Sequence, residues 1–161
     1  MAELIKVGMA DLKIAKAPDV LTTLGLGSCV GIALYDPDKR LAGLAHIMLP
    51  DSTQIKNNAN KAKFADTALE ILLKEMVEAG ALRSRLYAKI AGGAQMFAMD
   101  SQSDIMKIGS RNTIATKKLL TEYRIPLHAE DTGGNYGRTI EIYPDSGRLL
   151  VKAIGKGMRE L

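Results

Sequence analysis

Apolar and polar positions alternate with a period of two over most of this chain and switch to the helical period in two stretches. Alternation rich in β-branched residues predicts strands at 5–9, 12–15 and 20–24. Two further apolar runs, 30–35 and 41–49, flank Asp36-Pro37-Asp38-Lys39, a turn tetrapeptide whose proline is preset for a tight bend. Together they predict a β-hairpin. Pro50-Asp51 ends it, and the polar stretch 52–60 reads as a surface loop. A helix is predicted over 61–79, where Phe64, Ala68, Ile71, Leu72, Met76 and Ala79 recur at the helical period and Gly80 supplies the stop. A strand at 86–91 runs into Gly92-Gly93. A second helix is predicted after Ser110 as N-cap, carrying Ile114, Leu119, Leu120 and Tyr123. Strands at 127–130, 139–143 and 149–154 complete the chain, the last two joined by a turn at Pro144-Asp145-Ser146-Gly147.

Many strands, two main helices and hairpins in place of regular βαβ alternation predict a layered α+β fold of mostly antiparallel sheets. The 161 residues show no linker, repeat or low-complexity segment, so one domain over 1–161 is expected. Hydrophobic residues make up 47% of the chain and charged residues 25%, which excludes a disordered chain. The net charge of +4 comes from scattered basic residues with acids among them, and no basic run carries aromatics for base stacking; nucleic acid is not an expected partner. The first residues lack the charged-then-apolar order of a secretory signal, and no apolar stretch has the length to span a bilayer. A soluble cytoplasmic protein without membrane insertion is expected.

The chain has one cysteine and two histidines, which precludes an internal disulfide and disfavours a zinc site. The cysteine, Cys29, lies in Gly25-Leu26-Gly27-Ser28-Cys29-Val30-Gly31, where small residues let a ligand approach backbone N–H groups. If Asp36 to Lys39 form the hairpin loop, Tyr35 pairs with Arg40 and Cys29 falls opposite His46. Directly opposed residues have Cβ atoms about 4.5–5.5 Å apart, so a thiol and an imidazole could meet. That register gathers Val30, Ile32, Leu34, Leu41, Ala45, Ile47 and Leu49 on the other face. Gly31, Ala33 and Ala42 near the pair leave room for a substrate. A facing imidazole lowers a thiol's pKa and shuttles protons, and a third group orients the ring. Thr22 and Thr23 both offer hydroxyls for that role. The Gly25-x-Gly27 pattern lacks the third glycine and following helix of a dinucleotide fingerprint. His128 beside Glu130 and Asp131 is explained by strand alternation as well as by a metal site.

Five blocks carry a resemblance: the Gly25 to Val30 block, His46-Ile47-Met48-Leu49-Pro50-Asp51, Ala88-Lys89-Ile90-Ala91-Gly92-Gly93-Ala94-Gln95-Met96-Phe97, Ile108-Gly109-Ser110-Arg111-Asn112, and Glu130-Asp131-Thr132-Gly133-Gly134-Asn135-Tyr136-Gly137-Arg138. Spread over essentially the whole chain, they resemble the chemoreceptor glutamine deamidase family CheD. The resemblance implies a layered α/β sandwich similar to the catalytic domain of cytotoxic necrotizing factor toxins. It implies an enzyme, a protein-glutamine glutaminase that deamidates glutamine side chains of methyl-accepting chemotaxis receptors to glutamate and ammonia through a thioester. Cys29 is then the nucleophile, His46 the base and Thr23 the group that orients it, with no metal or organic cofactor. Backbone N–H groups around Gly27 and Ser28 are candidates for the oxyanion site. Gly92, Gly93, Thr132, Gly133, Gly134 and Asn135 are candidates for the walls of a substrate groove. The CheY-phosphate phosphatase CheC is an implied partner that competes with receptors. The alternative is a non-catalytic adaptor that acts by binding receptors and CheC.

Overall fold

Two five-stranded sheets stacked face to face, with two helices on the outer face of one of them, make up the molecule in a computed structural model that describes residues 2–96 and 107–161. Phe97, which closes one of the family-like blocks, lies outside the described residues. The strands are β1 (Leu4–Lys6), β2 (Leu12–Lys16), β3 (Val20–Leu26), β4 (Val30–Asp36), β5 (Leu41–Ile47), β6 (Tyr87–Gly92), β7 (Leu127–Thr132), β8 (Arg138–Tyr143), β9 (Arg148–Ala153) and β10 (Gly157–Glu160). The helices are α1 (Ala65–Glu78) and α2 (Ile108–Glu122). One sheet has the order β1-β3-β8-β9-β10 and the other β2-β5-β4-β6-β7. Only β1 with β3 and β6 with β7 pair in parallel; the other neighbours are antiparallel. The layered, mostly antiparallel α+β expectation therefore holds. One βαβ crossover, β6–α2–β7, interrupts the hairpins.

Each face of the second sheet has its own core. Val30, Ile32, Leu34, Leu41, Ala45 and Ile47 point at α1, where Ala65, Ala68, Leu69, Leu72 and Met76 form the buried stripe. Gly43 on that face gives up the volume that the Leu72 and Met76 side chains occupy. The opposite face carries Ala33, Tyr35, Ala42 and Leu44 and meets Leu21, Leu26, Ile140, Ile142 and Val151 of the first sheet. Among the described residues no helix is long and apolar enough to cross a membrane.

Four local expectations need correction. The β4–β5 register is Gly31↔His46 and Asp36↔Leu41, two residues from the predicted one. Arg40 adopts a positive φ of 49° and joins the turn, while Asp36 stays in the strand. The first helix starts at Ala65 because residues Lys61–Lys63 form a separate 3-10 turn capped by Asn60. Ser110 lies inside α2, whose N-cap position is Lys107 with no side-chain cap. Finally, β10 goes unpredicted; all four of its residues are exposed, so no buried face writes an alternation into its sequence.

Asp36 explains why the hairpin turns where it does. Its buried carboxylate accepts N–H groups of Asp38, Lys39 and Leu82 and pairs with Arg85 at 2.9 Å. Burial alone raises its pKa, but the Arg85 guanidinium and those N–H donors overcome it and hold the value at about 2. Asp36→Ala is expected to cost about 3 kcal/mol of unfolding free energy, because it strands buried donors and the Arg85 charge. Urea melts at pH 7 measure it. The folded carboxylate keeps its charge below the ordinary 3.8, so the wild type's advantage fades as pH falls through that value toward 2.

Candidate active site

The chain passes from one sheet to the other through Gly27, Ser28 and Cys29, directly after β3 and before β4. A register shift between Thr23 and Leu26, with Gly25 at φ 71°, bends β3 out of line and starts that passage. Cys29 thus sits at the rim of the sandwich, only 7% exposed, while Leu24 and Gly25 beside it are open to solvent.

Thr23 and His46 come from opposite sheets and meet between them, both with no exposed surface. Thr23 Oγ1 lies 2.7 Å from His46 Nδ1 and donates to the Val7 carbonyl at 2.7 Å. A hydroxyl has one proton, and a carbonyl can only accept. With that proton given to Val7, the hydroxyl accepts from Nδ1–H, so Nε2 carries the free lone pair. Nε2 is buried and has no hydrogen-bond partner among the described residues. Thr22, the other candidate orienter, turns away and donates to the Ile140 carbonyl.

The two-residue correction in register keeps the faces. His46 stands opposite Gly31, which has no side chain, and Cys29 continues the same face two residues earlier. The ladder ends at Val30↔Ile47, and one residue beyond it Cys29 falls diagonal to His46 along the chain. The expected space beside Gly31 is filled: a Cβ there would lie 2.6 Å from Ile140 Cδ1 and 3.2 Å from Leu26 Cδ1. The first sheet covers that face and leaves no open space beside Gly31. Grooves lined by Leu120, Arg124 and Leu127, and by Pro50, Arg111 and Ile114, contain none of these three residues.

Burial sets the electrostatics. It pushes the Cys29 thiol above 9.0, against a smaller lowering by the residue's own N–H, and it pushes His46 below 6.5. The thiol lowering expected from a facing imidazole is not what governs Cys29; desolvation does, and it favours the neutral forms of both groups. The resting pair is thiol and imidazole, not thiolate and imidazolium.

The glycine loops gather around the Cys29 backbone. Gly93 N–H donates to the Cys29 carbonyl at 2.8 Å, Ala94 N–H to the Gly27 carbonyl at 2.9 Å, and Gly133 N–H to the Gly92 carbonyl at 3.0 Å. A Cβ on Gly92, which has φ 111°, would collide with the Cys29 carbonyl oxygen, so only glycine lets β6 approach this closely. Gly92 and Gly93 are buried, Thr132 and Gly133 half-buried, and Gly134 and Asn135 exposed. A buried ion pair, Arg138 to Asp131 at 3.0 Å, ties the second loop down, with Arg138 also donating to the Gly133 carbonyl at 2.9 Å. Asp131 is thereby taken, Glu130 pairs with Lys117, and His128 stacks on Tyr87 with ring centroids 3.8 Å apart. These three strand residues do not converge.

The sequence reading missed the Val7 carbonyl and Asn112. Nothing in residue types marks a main-chain acceptor. Asn112 left a signal: with Gly109, Thr116 and Leu120 it forms the buried stripe of α2 at helical spacing, and a fully buried asparagine on such a stripe needs partners.

Thr23→Val keeps the shape and removes the hydroxyl, leaving Nδ1–H and the Val7 carbonyl unpaired. The turnover that this site supports is expected to fall about 10²-fold, less than the ~10⁴ seen when a triad carboxylate is neutralised, because threonine carries no charge. Thr23→Ser is expected to recover most of it. Steady-state kinetics of the two variants check this, and equal rates for Thr23→Val and wild type would remove threonine from the site.

A family model described as CheD chemotactic sensory transduction matches residues 48–153. The chain is 58% identical to a probable chemoreceptor glutamine deamidase CheD of Lachnoclostridium phytofermentans, over 100% of both chains. It is 61% identical to the protein of the same description from Caldanaerobacter subterraneus, over 98% of both. It is 50% identical to the chemoreceptor glutamine deamidase CheD of Bacillus subtilis, over 99% of this chain and 97% of that one. The family match begins after His46, whereas the full-length relatives also span Thr23 and Cys29. Among solved structures, a Bacillus licheniformis protein described as hypothetical protein YfiH overlays 70% of this chain and 46% of its own, at 18% identity and a TM-score of 0.44.

Proposed function

The chain belongs to the CheD family, and from that premise we propose that it is a protein-glutamine glutaminase whose substrates are glutamine side chains of methyl-accepting chemotaxis receptors. The observation that carries the reading is the Thr23-held imidazole, whose bare Nε2 lies on the face that Cys29 shares. Both groups rest neutral, so proton transfer accompanies attack: Nε2 takes the thiol proton as Sγ bonds to the glutamine Cδ. The oxyanion that forms needs N–H donors. The Gly27 N–H is already given to the Gly25 carbonyl at 3.1 Å, which favours the next two, on Ser28 and Cys29. Imidazolium then protonates the leaving nitrogen, the C–N bond breaks and ammonia departs. Water, its proton drawn by Nε2, hydrolyses the thioester to glutamate and restores the thiol. Nδ1–H stays on Thr23 throughout.

The chain acts as one catalytic unit in the cytoplasm, where the signalling ends of such receptors lie. A substrate glutamine enters at the rim, past exposed Leu24 and the loop that holds Gly134 and Asn135. Stacked sheets with Thr23 and His46 meeting between them also support the likeness to the cytotoxic necrotizing factor catalytic domain. CheC is the competing partner that the family resemblance implies, and a pull-down with and without receptor fragment tests it. The central experiment incubates a receptor cytoplasmic fragment with the protein and follows glutamine-to-glutamate conversion by peptide mass spectrometry, with ammonia released in equal amount. A receptor fragment that is bound but left unmodified would leave the adaptor reading in its place.

A further inference from the structure

We propose that Asn112 is a positioning residue for the oxyanion site, turning the Ser28–Cys29 peptide so that the Cys29 N–H faces the reacting carbonyl. The proposal rests on the deamidase reading and extends it to a residue on the far side of the sheet. Asn112 is fully buried on the first turns of α2, and its one amide nitrogen donates twice, to the Ser28 carbonyl and to the Met48 carbonyl, each at 2.9 Å. It therefore bridges the nucleophile loop and the continuation of the strand that carries His46, at the point where β4 and β5 part. The carbonyls on either side are held as well, Gly27 by the Ala94 N–H and Cys29 by the Gly93 N–H. Ser28 is the one whose partner is a side chain.

A trans peptide points its N–H opposite to its carbonyl. With the Ser28 carbonyl drawn toward α2, the N–H of the same peptide, that of Cys29, points to the other face, where His46 lies. The reach of Asn112 depends on a close approach: a Cβ on Gly109 would collide with the Ala94 carbonyl oxygen, so glycine brings the start of α2 against the loop. Among the described residues the amide's Oδ1 is buried without a partner, a cost set against the two donations.

The test compares deamidation with alkylation. Deamidation builds an oxyanion; attack of Cys29 on iodoacetamide builds none, so the second reaction reports the thiol and its surroundings alone. Asn112→Ala, and Asn112→Asp with the same shape but no donor, are expected to lower kcat on a receptor fragment by about 10- to 100-fold with little change in KM. Alkylation rate and its pH midpoint are expected to stay at wild-type values. Unchanged kcat overturns the proposal. So does alkylation that falls in step with kcat, since that is loss of structure. Should neither variant fold, the wild type decides: the single cysteine labelled with nitrogen-15 gives one amide signal, which is expected to move downfield when a glutamine-semialdehyde peptide adds to Cys29. An unmoved or upfield signal overturns the proposal. A wild type that alkylates but never deamidates overturns the underlying reading instead, so the two failures are distinct.

Discussion

Cys29→Ala is expected to stop conversion of receptor glutamine to glutamate, with a loss of about 10⁴-fold or more in turnover and no loss of receptor binding. The size follows from chemistry that no other residue can supply: the chain has one thiol, and the proposed thioester path needs it in both halves. Alanine also fits the place. Cys29 is 7% exposed at the edge of the apolar core between the sheets, so removing one sulfur leaves a void that costs about 1 kcal/mol and the sandwich persists. Peptide mass spectrometry reads the result as a gain of one dalton per glutamine with wild type and none with the variant. Cys29→Ser is a stricter comparison, because its hydroxyl is a much weaker nucleophile at the same position. Conversion by Cys29→Ala at the wild-type rate would sink the assignment. Retained binding with lost conversion separates catalyst from adaptor within one experiment.

Strand alternation puts His46 on the face of Cys29 but opposite the wrong residue. Alternation through residues 30–35 and 41–49 marks which side chains share a surface, and an error of two residues in register leaves that parity intact. So His46 is found on the face of Cys29, although Gly31 stands opposite it. The error comes from Arg40, which enters the left-handed region without being a glycine, at a place where Asp-Pro-Asp-Lys looks like a complete turn. Thr23 was one of two equal candidates on residue type; only the other sheet's position separates it from Thr22, and strand periodicity says nothing about stacking between sheets. The same gap hid Ile140, which fills the space expected for substrate. The parallel β6–α2–β7 crossover escaped for a different reason. Its helix starts with Ile108-Gly109-Ser110, where glycine and serine read as loop and cap, yet glycine is there for contact with Ala94.

His46→Gln is expected to lower turnover by about 10⁴-fold, because in the proposed mechanism one imidazole serves as base for the thiol, acid for the leaving nitrogen and base for water. Glutamine can still bond to Thr23, so the fold is kept while the proton carrier is lost. Burial holds the wild-type imidazole below 6.5 and the thiol above 9.0, so at pH 7 both are neutral and the base is ready. Activity should then fall only as pH drops through a midpoint below 6.5. Alkylation of Cys29 should rise through a midpoint above 9.0 in wild type, and a rate already at its plateau at pH 7 would refute the neutral pair. The stability profile gives a second check. Below 6.5 the unfolded chain binds a proton that the folded His46 resists, so wild-type stability declines with acid from this residue. His46→Gln removes that slope. A variant that loses turnover yet keeps both the acid limb of stability and the wild-type rate of alkylation at high pH would show that the titrating group is another residue.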